Sequence, residues 1–338
     1  MENYAGTPCD LARDLNNNPL YQMSLFVEAT FGFVSFIGLL WLILTKIINL
    51  HFHFNLKLLL IIYYLWLLDL ALEFFIGFGY RYLLPFFVHN DCDLLIDPSF
   101  FKYFHLGILF AMTCAMLFPI GFAIERFVAL KNMKNYENRY KWLGPLIVLS
   151  LIVISSLIIW LIYKDETFAG PHYSIVLVPT TSSIRFNVFL YTCIVIHVAV
   201  LFIIRSIYRE NKRLKAKLLD DQSSTLSMRF LAREVEESSI FVFVICIVHD
   251  IFVIFYVING LIIRIFGPNI FSNPVHFTVA RSLYCTFPTF NLLIIFVGKK
   301  VLNRLKITRK NTVDVGLHMK STGEEGIKNY HAETCRDW

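Results

Sequence analysis

A glutamate and an arginine stand side by side inside an otherwise apolar stretch, as Glu125 and Arg126. A guanidinium is always charged and offers five donors in a rigid fork, so it can pair with carboxylates or donate to the backbone carbonyl groups of a partner. The plainer interpretation is a pair that reaches for lipid headgroups at a membrane surface. If an acid holds this guanidinium at rest, it is either the adjacent carboxylate or one of a later cluster: Glu234, Glu236 and Glu237.

Five further charged residues lie within apolar runs: Glu28, Asp69, Glu73, Asp250 and Arg281. Ionisable groups are costly in lipid, so they mark function or pair with one another. Asp69 and Glu73 are four residues apart, which places them on one helix face that we expect to look into the protein interior. Arg281 has two interpretations, an internal ion pair with Glu73 or Glu28 and a contact with the polar group of a ligand.

Three histidines also lie in apolar runs: His105, His197 and His249. Zinc needs three or four ligands within bonding distance of one point. The positions of these histidines in their runs put them at three different depths, so the sequence predicts no metal site and no zinc-dependent hydrolysis. The cysteines show no C-x-x-C or C-x-x-H spacing either, and we expect no cofactor and no enzymatic activity.

These residues belong to a chain that is 57% hydrophobic and only 17% charged, whereas soluble domains are about 25% charged. About 20 apolar residues cross a bilayer as a helix, in which every backbone group bonds within its own segment. The basic residues flank the apolar runs instead of forming a soluble face, which argues against nucleic-acid binding. Seven runs are long enough to span: 23–45, 56–79, 102–125, 143–163, 186–207, 238–262 and 277–298.

The sequence therefore predicts an all-α integral membrane protein, a seven-helix bundle over 23–298 between an amino-terminal segment, 1–22, and a tail, 299–338. Segment 1–22 lacks the short apolar core of a cleavable signal peptide, so we expect the first span to act as the anchor. Basic residues are enriched on cytoplasmic loops, and 24 of the 31 fall on the side that follows spans 1, 3, 5 and 7. The amino terminus is thus predicted outside and the carboxyl terminus in the cytosol. In the tail we expect a short interfacial helix after Gly298 and disorder beyond Asn311.

Several stretches of the chain together carry a family resemblance. They are NPLYQMSLF (18–26), FHFNLK (52–57), LLPFFVHNDCDLLI (83–96), MLFPIGFAIERFVAL (116–130), the segment Thr225–Phe241, TFPTFN (286–291) and KSTGEEGIKNY (320–330). They resemble the nematode serpentine receptor class beta (Srb) family of chemosensory G-protein-coupled receptors over nearly the whole chain. The chain lacks the Asp-Arg-Tyr and Asn-Pro-x-x-Tyr motifs of the larger rhodopsin-like class, so residue roles from that class are not transferred.

The resemblance implies a multi-pass receptor in the plasma membrane, at the dendrite or cilium of a sensory neuron. It implies binding of a small odorant-like or pheromone-like molecule outside and activation of a heterotrimeric G protein inside, driving attraction or avoidance. The expected G-protein contacts are Glu125, Arg126, Arg209, Lys212 and Arg213. The plainer interpretation of the last three is attraction to anionic membrane lipids.

A ligand pocket is expected in the outer half of such a bundle, as an apolar cavity with few polar groups. The candidate residues are Glu73, His105, Leu109, Met112, Tyr191, Tyr256, Arg281 and Tyr284. Aromatic residues at helical spacing are also ordinary packing residues, so each is a hypothesis. A pocket of this composition suits a small hydrophobic molecule, such as a fatty-acid-like or ketone-like odorant. Oligomeric state is open.

Two cysteines, Cys9 and Cys92, fall in polar segments on the predicted outer side, where disulfides persist. The second outer loop, Lys164–Arg185, contains no cysteine. A bridge from the top of span 3 to that loop therefore cannot form. The residues alone leave a Cys9–Cys92 bridge and two free thiols as alternatives, and the resemblance favours the bridge.

Two other functional classes share the seven spans. A ligand-gated channel of the insect odorant-receptor type places its amino terminus inside, which the distribution of basic residues opposes. A transporter would often show matching halves, and no internal repeat is present.

Overall fold

The computed structural model describes residues 6–132, 136–220, 226–284 and 286–317. Within these ranges, seven helical segments are long and apolar enough to cross a membrane. The only β-pairing in this part of the chain is an isolated bridge between Ile96 and His172. The predicted all-α bundle of seven membrane helices is therefore confirmed. The helices are α1 (Pro8–Asn16), α2 (Pro19–Leu42), α3 (Phe54–Leu83), α4 (Pro98–Lys131), α5 (Tyr136–Arg139), α6 (Leu143–Tyr163), α7 (Ser183–Asp220), α8 (Leu226–Ile270), α9 (Pro274–Leu283) and α10 (Phe287–Leu317).

Three helices begin with the same local device, an Asn or Asp that is followed by Pro. The fixed φ of proline suits the first helical position, and the preceding side-chain oxygen accepts otherwise unsatisfied backbone N–H groups. Asn18 accepts from the backbone N–H of Leu20 at 3.0 Å, and Asp97 accepts from that of Phe100 at 2.9 Å. Asn273 starts α9 in the same way. These sequence signals fix where α2, α4 and α9 start.

Five of the predicted spans, the second to the sixth, fall within single observed helices, and most of these helices are longer. The first predicted span, 23–45, runs past the end of α2 into a π-helical turn, Ile43–Ile47. Only α6 has the predicted bounds, whereas α4 continues to Lys131 and α8 runs as far as Ile270. Hydropathy detects the apolar part of a helix and not the polar turns that continue it. The seventh predicted span is divided, because α9 ends at Leu283 and α10 begins at Phe287. Pro288 has no N–H to donate to the preceding turn, which favours a new helix start there.

The tail also differs from the expectation. No separate interfacial helix follows Gly298, since α10 continues without a break to Leu317, beyond Asn311. No proline interrupts this part of the chain, and Gly298 serves a close approach: a Cβ there would lie 3.0 Å from the hydroxyl oxygen of Tyr64. The rest of the predicted disordered segment, 318–338, lies outside the described residues.

The amino-terminal segment forms a short helix, α1, for which the sequence analysis had no prediction. Thr7 and Asp10 form a reciprocal capping box at its start, and its apolar residues Leu11, Ala12 and Leu15 are buried. A disulfide joins Cys9 in this helix to Cys92 in the turn before α4. We call this end of the bundle the disulfide end, and the opposite end, which carries Arg126, the arginine end.

The disulfide predicts a specific thiol count. The chain has seven cysteines, and a single Cys9–Cys92 bridge leaves five thiols to react in denatured, unreduced protein and seven after reduction. We also expect Cys9→Ser to destabilise the folded chain by about 4 kcal/mol, because the bridge closes a long loop. Thiol titration and a thermal melt measure both effects. Cys114→Ser, at a buried free cysteine, is the control that keeps the bridge, and seven thiols before reduction would contradict the pairing.

Candidate functional site

At the arginine end, Arg126 and Glu125 form a buried two-pronged ion pair. The Nε and Nη2 atoms of Arg126 lie 2.5 and 2.6 Å from the two carboxylate oxygens of Glu125. Both side chains are almost completely removed from solvent. Charge-assisted pairs of this fork geometry are among the strongest hydrogen bonds in proteins. The two residues do not extend toward lipid headgroups, so the plainer interpretation from the sequence does not describe this structure.

A second layer of hydrogen bonds holds the carboxylate of the pair. The hydroxyl of Tyr136 donates to Glu125 at 2.6 Å and itself accepts from the amide of Asn55 at 3.1 Å. Burial and the neighbouring carboxylate raise the pKa of Tyr136 above its ordinary value, so the phenol keeps the proton that it donates. Asn55 also accepts from the backbone of Gly144 at 3.1 Å. A Cβ on Gly144 would lie 2.9 Å from the Cα of Asn55, so glycine permits this close approach of α6 to α3.

The remaining contact of the guanidinium is with α8. Nη1 of Arg126 donates to the hydroxyl of Ser238 at 2.6 Å, and Ser238 donates in turn to the carbonyl of Val235 at 3.1 Å. The ion pair of Arg126 with its neighbour Glu125 is thus formed in the structure. From the start of α8, Ser238 adds a hydroxyl contact to the guanidinium.

Arg126 also lines a small cavity, of about 10 Å³, between α4, α7 and α8. The other walls are mainly apolar and include Tyr208 and Phe243, whose rings stack at 4.6 Å. The basic residues proposed beside it, Arg209, Lys212 and Arg213, are exposed on α7, where Arg213 pairs with Glu210 at 2.5 Å. The guanidinium is therefore accessible to a partner only if α7 and α8 separate.

A larger cavity, of about 50 Å³, lies toward the disulfide end, between α3, α4, α7, α8 and the α9–α10 turn. The structure places five of the eight predicted pocket residues on its wall: Leu109, Met112, Tyr256, Arg281 and Tyr284. Most of the lining is apolar, and two arginine side chains, Arg264 and Arg281, supply its charge.

The loop between α6 and α7 covers this cavity. Its residues Val176, Leu177 and Val178 line the cavity directly. The backbone is pinned by Ile96, whose N–H donates to the carbonyl of His172 at 3.0 Å. The hydroxyl of Tyr21 donates to the carbonyl of Tyr173, also at 3.0 Å. The loop therefore acts as a roof that separates the cavity from the surface at the disulfide end.

The two arginines of the cavity have no acidic partner in the described parts of the chain. Arg264 donates to the amide oxygen of Asn187 at 3.2 Å and lies over the ring of Phe186. The guanidinium of Arg281 lies 5.5 Å from the ring centre of Phe277. The ion pair of Arg281 with Glu73 or Glu28 that the sequence suggested does not form. Two uncompensated cations thus face one apolar cavity, an arrangement that favours a ligand with an anionic group.

Three predicted pocket residues lie elsewhere. His105 is buried beside the cavity, where Nδ1 contacts the carbonyl of Ile175 at 2.7 Å and Nε2 the hydroxyl of Tyr163 at 3.1 Å, so it holds the roof loop. Tyr191 is 49% exposed on the outer face of α7. Glu73 lies against Gly107 of α4. Helical spacing alone did not distinguish the cavity face from these neighbouring faces.

The other charges predicted within the membrane do not form one network. Glu28 is buried on α2, and its Oε2 has no hydrogen-bond partner in the structure. Asp69 is exposed on the side of the bundle, so the expectation that its face looks inward is wrong for this residue. Asp250 instead contacts His197 at 2.7 Å, beside His249. The expectation that His197 and His249 lie at different depths is also wrong, because the two helices pair there.

Sequence reasoning missed Arg264 as a cavity residue. It was counted among the basic residues of an outer loop, since the sixth span was expected to end before it. The available signal is the continuation of apolar residues on both sides, in LIIRIF (261–266). A lone arginine within such a stretch is as conspicuous as Arg281.

Comparison with known proteins points to a receptor family. The family model described as serpentine type 7TM GPCR chemoreceptor Srb matches residues 17–253. Serpentine receptor class beta-3 of Caenorhabditis elegans is 37% identical over 330 residues, 98% of this chain and 95% of the relative. Serpentine receptor class beta-12 of the same nematode is 36% identical, with the same shares covered. Serpentine receptor class beta-13 is 34% identical over 98% of this chain and 96% of the relative.

Proposed function

The chain belongs to the serpentine 7TM chemoreceptor family Srb, and from this premise we propose that it binds a small molecule in the cavity under the roof loop and activates a heterotrimeric G protein at the arginine end. The observation that carries the proposal is the pairing of two sites in one bundle. An apolar cavity, with two arginines that have no acidic partner among the described residues, lies toward one end, and a buried arginine held by Glu125 and Ser238 lies at the other.

The arginine end supports G-protein coupling through its geometry. The Arg126 guanidinium is held by Glu125 and Ser238 at the edge of a cavity between α7 and α8. If those helices part, the contact with Ser238 breaks and the guanidinium can donate to carbonyl groups of an inserted partner helix. The exposed basic residues of α7 add attraction for an acidic partner surface or for anionic lipid.

The residues that line the cavity under the roof loop favour a particular class of ligand. Its apolar wall favours a hydrocarbon body, and Arg264 and Arg281 favour a carboxylate or another anionic acceptor at one end of that body. We propose an amphiphilic odorant or pheromone-like molecule with one such group. A purely hydrophobic ligand would leave both guanidinium groups desolvated without compensation.

The proposed orientation places the disulfide end outside the plasma membrane of a sensory neuron and the arginine end in the cytosol. We expect an amino-terminal epitope tag to stain intact cells and a carboxyl-terminal tag to stain only permeabilised cells, because 24 of the 31 basic residues fall in the sequence segments that follow spans 1, 3, 5 and 7. Immunofluorescence measures both. The reverse pattern would favour the channel interpretation.

The experiment that tests the proposed function is a compound screen in cells that express the receptor together with a heterotrimeric G protein. The assay measures dissociation of the G-protein subunits. The probes are medium-chain alkanoic acids, each beside its methyl ester and its alcohol. We expect at least one acid to dissociate the G protein in a receptor-dependent manner and to act more strongly than its ester. Transport or ion current with no G-protein response to any activating compound would overturn the proposal.

A further inference from the structure

A third polar cluster lies between the two sites, where α7 and α8 pack against α3. It consists of His197, His249 and Asp250, and each offers one ligand atom within 4.8 Å of the others. All three side chains are buried, with exposures of 1%, 1% and 0%. Neither ligand binding nor G-protein coupling as proposed uses this cluster. We propose that it binds a divalent transition-metal cation, with Zn²⁺ as the reference ion.

The first support is two polar atoms that the protein leaves without partners. Nε2 of His249 and Oδ2 of Asp250 are buried and form no hydrogen bond with the residues that the structure describes. A buried acceptor without a partner costs about 1–3 kcal/mol, and native proteins contain few of them. A cation bound between the imidazoles and the carboxylate satisfies both atoms at once.

The second support is the donor set. Two imidazole nitrogens and one carboxylate oxygen form the ligand set of open, three-ligand zinc sites, which leave the fourth position to water. Nitrogen and carboxylate donors suit Zn²⁺ and its neighbours in the first transition row, whereas Ca²⁺ and Mg²⁺ prefer oxygen alone. The carboxylate also offsets part of the charge of a buried cation.

The third support is the surroundings of His249. The hydroxyl of Tyr63 lies 2.8 Å from Nδ1 of this histidine, and the ring of Phe290 packs edge-on at 5.3 Å. A hydrogen bond from Nδ1–H to a neighbouring oxygen holds the proton on that nitrogen and leaves Nε2 as the metal ligand. Tyr63 and Phe290 thus orient the imidazole before any metal arrives.

A metal would replace one existing contact. Nδ1 of His197 lies 2.7 Å from Oδ1 of Asp250, whereas tetrahedral zinc ligands lie about 3.3 Å from one another, as bonds of about 2.0–2.1 Å require. Binding therefore exchanges this hydrogen bond for two coordinate bonds. It also brings ligand atoms that lie up to 4.8 Å apart closer together by up to about 1.5 Å. The bound cation would join α7 to α8, the two helices that must separate to release Arg126.

The test uses the full-length receptor in lipid nanodiscs, stripped with a chelator and equilibrated with Zn²⁺ alone at low micromolar concentration. We expect about one tightly bound Zn²⁺ per chain by elemental analysis, the stoichiometry of a three-ligand site. Co²⁺ in its place should give visible d–d absorption. His249→Gln and Asp250→Asn each should weaken binding at least about 10-fold, whereas His276→Gln, at an exposed histidine, should leave it unchanged.

Tyr63→Phe keeps all three metal-ligating side chains, so it tests the site even if the variants at His249 and Asp250 do not fold. It should weaken Zn²⁺ binding about 10-fold through loss of the orienting hydroxyl. Two results would overturn the proposal: no bound Zn²⁺ on a folded wild-type chain, or equal Zn²⁺ binding by the ligand variants and the His276 control. Neither result depends on a ligand or a G protein, so failure of this site is distinguishable from failure of the proposed receptor function.

Discussion

A receptor in which Glu125 and Arg126 are both replaced by glutamine is expected to bind ligand within about twofold of the wild type and to lose G-protein activation at least about 100-fold. The loss follows because the guanidinium is the group proposed to bond the partner, and an effect of about 2.7 kcal/mol on that step is a factor of 100. Nucleotide exchange on a heterotrimeric G protein, measured beside ligand binding, separates the two effects.

The double replacement is chosen for its effect on folding. Removing Arg126 alone leaves the buried Glu125 carboxylate unpaired, which costs about 3–5 kcal/mol, so a silent single variant could simply be unfolded. Glu125→Gln alone leaves the buried Arg126 charge unpaired in the same way, so it is compared with the wild type at equal ligand-binding capacity. There we expect it to raise activation without ligand several-fold, because it loosens the hold on Arg126. The matched control neutralises an exposed acid–arginine pair, Asp165→Asn with Arg185→Gln, which should change little because surface pairs contribute little. Full G-protein activation by the Glu125→Gln, Arg126→Gln receptor would show that coupling does not require Arg126.

Arg281→Gln is expected to raise the concentration of an acidic ligand needed for half-maximal response about 10- to 100-fold. A hydrogen bond to a charged group contributes about 1.5–3 kcal/mol, and every 1.4 kcal/mol is a factor of ten. For the methyl ester of the same acid, the half-maximal concentration should rise less than about threefold, because the ester has no charge to pair with the guanidinium. Concentration–response curves for the acid and the ester in the G-protein assay measure the difference.

Arg185→Gln is the control for this second prediction. Arg185 lies near the same end of the bundle but is exposed and pairs with Asp165 outside the cavity. Its replacement should leave the half-maximal concentrations of both the acid and the ester within about twofold of the wild-type values. Equal losses for the acid and the ester in Arg281→Gln would mean that the residue shapes the cavity without contacting an anionic group.

The seven spans and the Glu125–Arg126 pair could be predicted because each depends on local sequence. A run of about 20 apolar residues is visible without knowledge of its neighbours, and two adjacent residues remain adjacent in any fold. The Asn-Pro and Asp-Pro helix starts are local in the same sense. The helix α1 carried a readable Thr7–Asp10 capping box, which its short length made easy to overlook.

The contacts between helices could not be predicted in the same way, because they depend on the register of one helix against the next. α7 and α8 are antiparallel, so each step along one is matched by a reverse step along the other. Asn187 therefore meets Arg264, and His197 meets Asp250. Depth counted from uncertain span ends put His197 and His249 apart, and the end assigned to span 6 moved Arg264 into a loop. One observed pair between the two helices would have corrected both.

The most direct test of the receptor account is nucleotide exchange on a purified heterotrimeric G protein by the chain in lipid nanodiscs, with and without the most active acid from the screen. The account predicts that the acid accelerates exchange by the wild-type receptor and does not do so for the Glu125→Gln, Arg126→Gln double variant. An acid that binds the cavity saturably while exchange by the wild-type receptor stays at its ligand-free rate would contradict it.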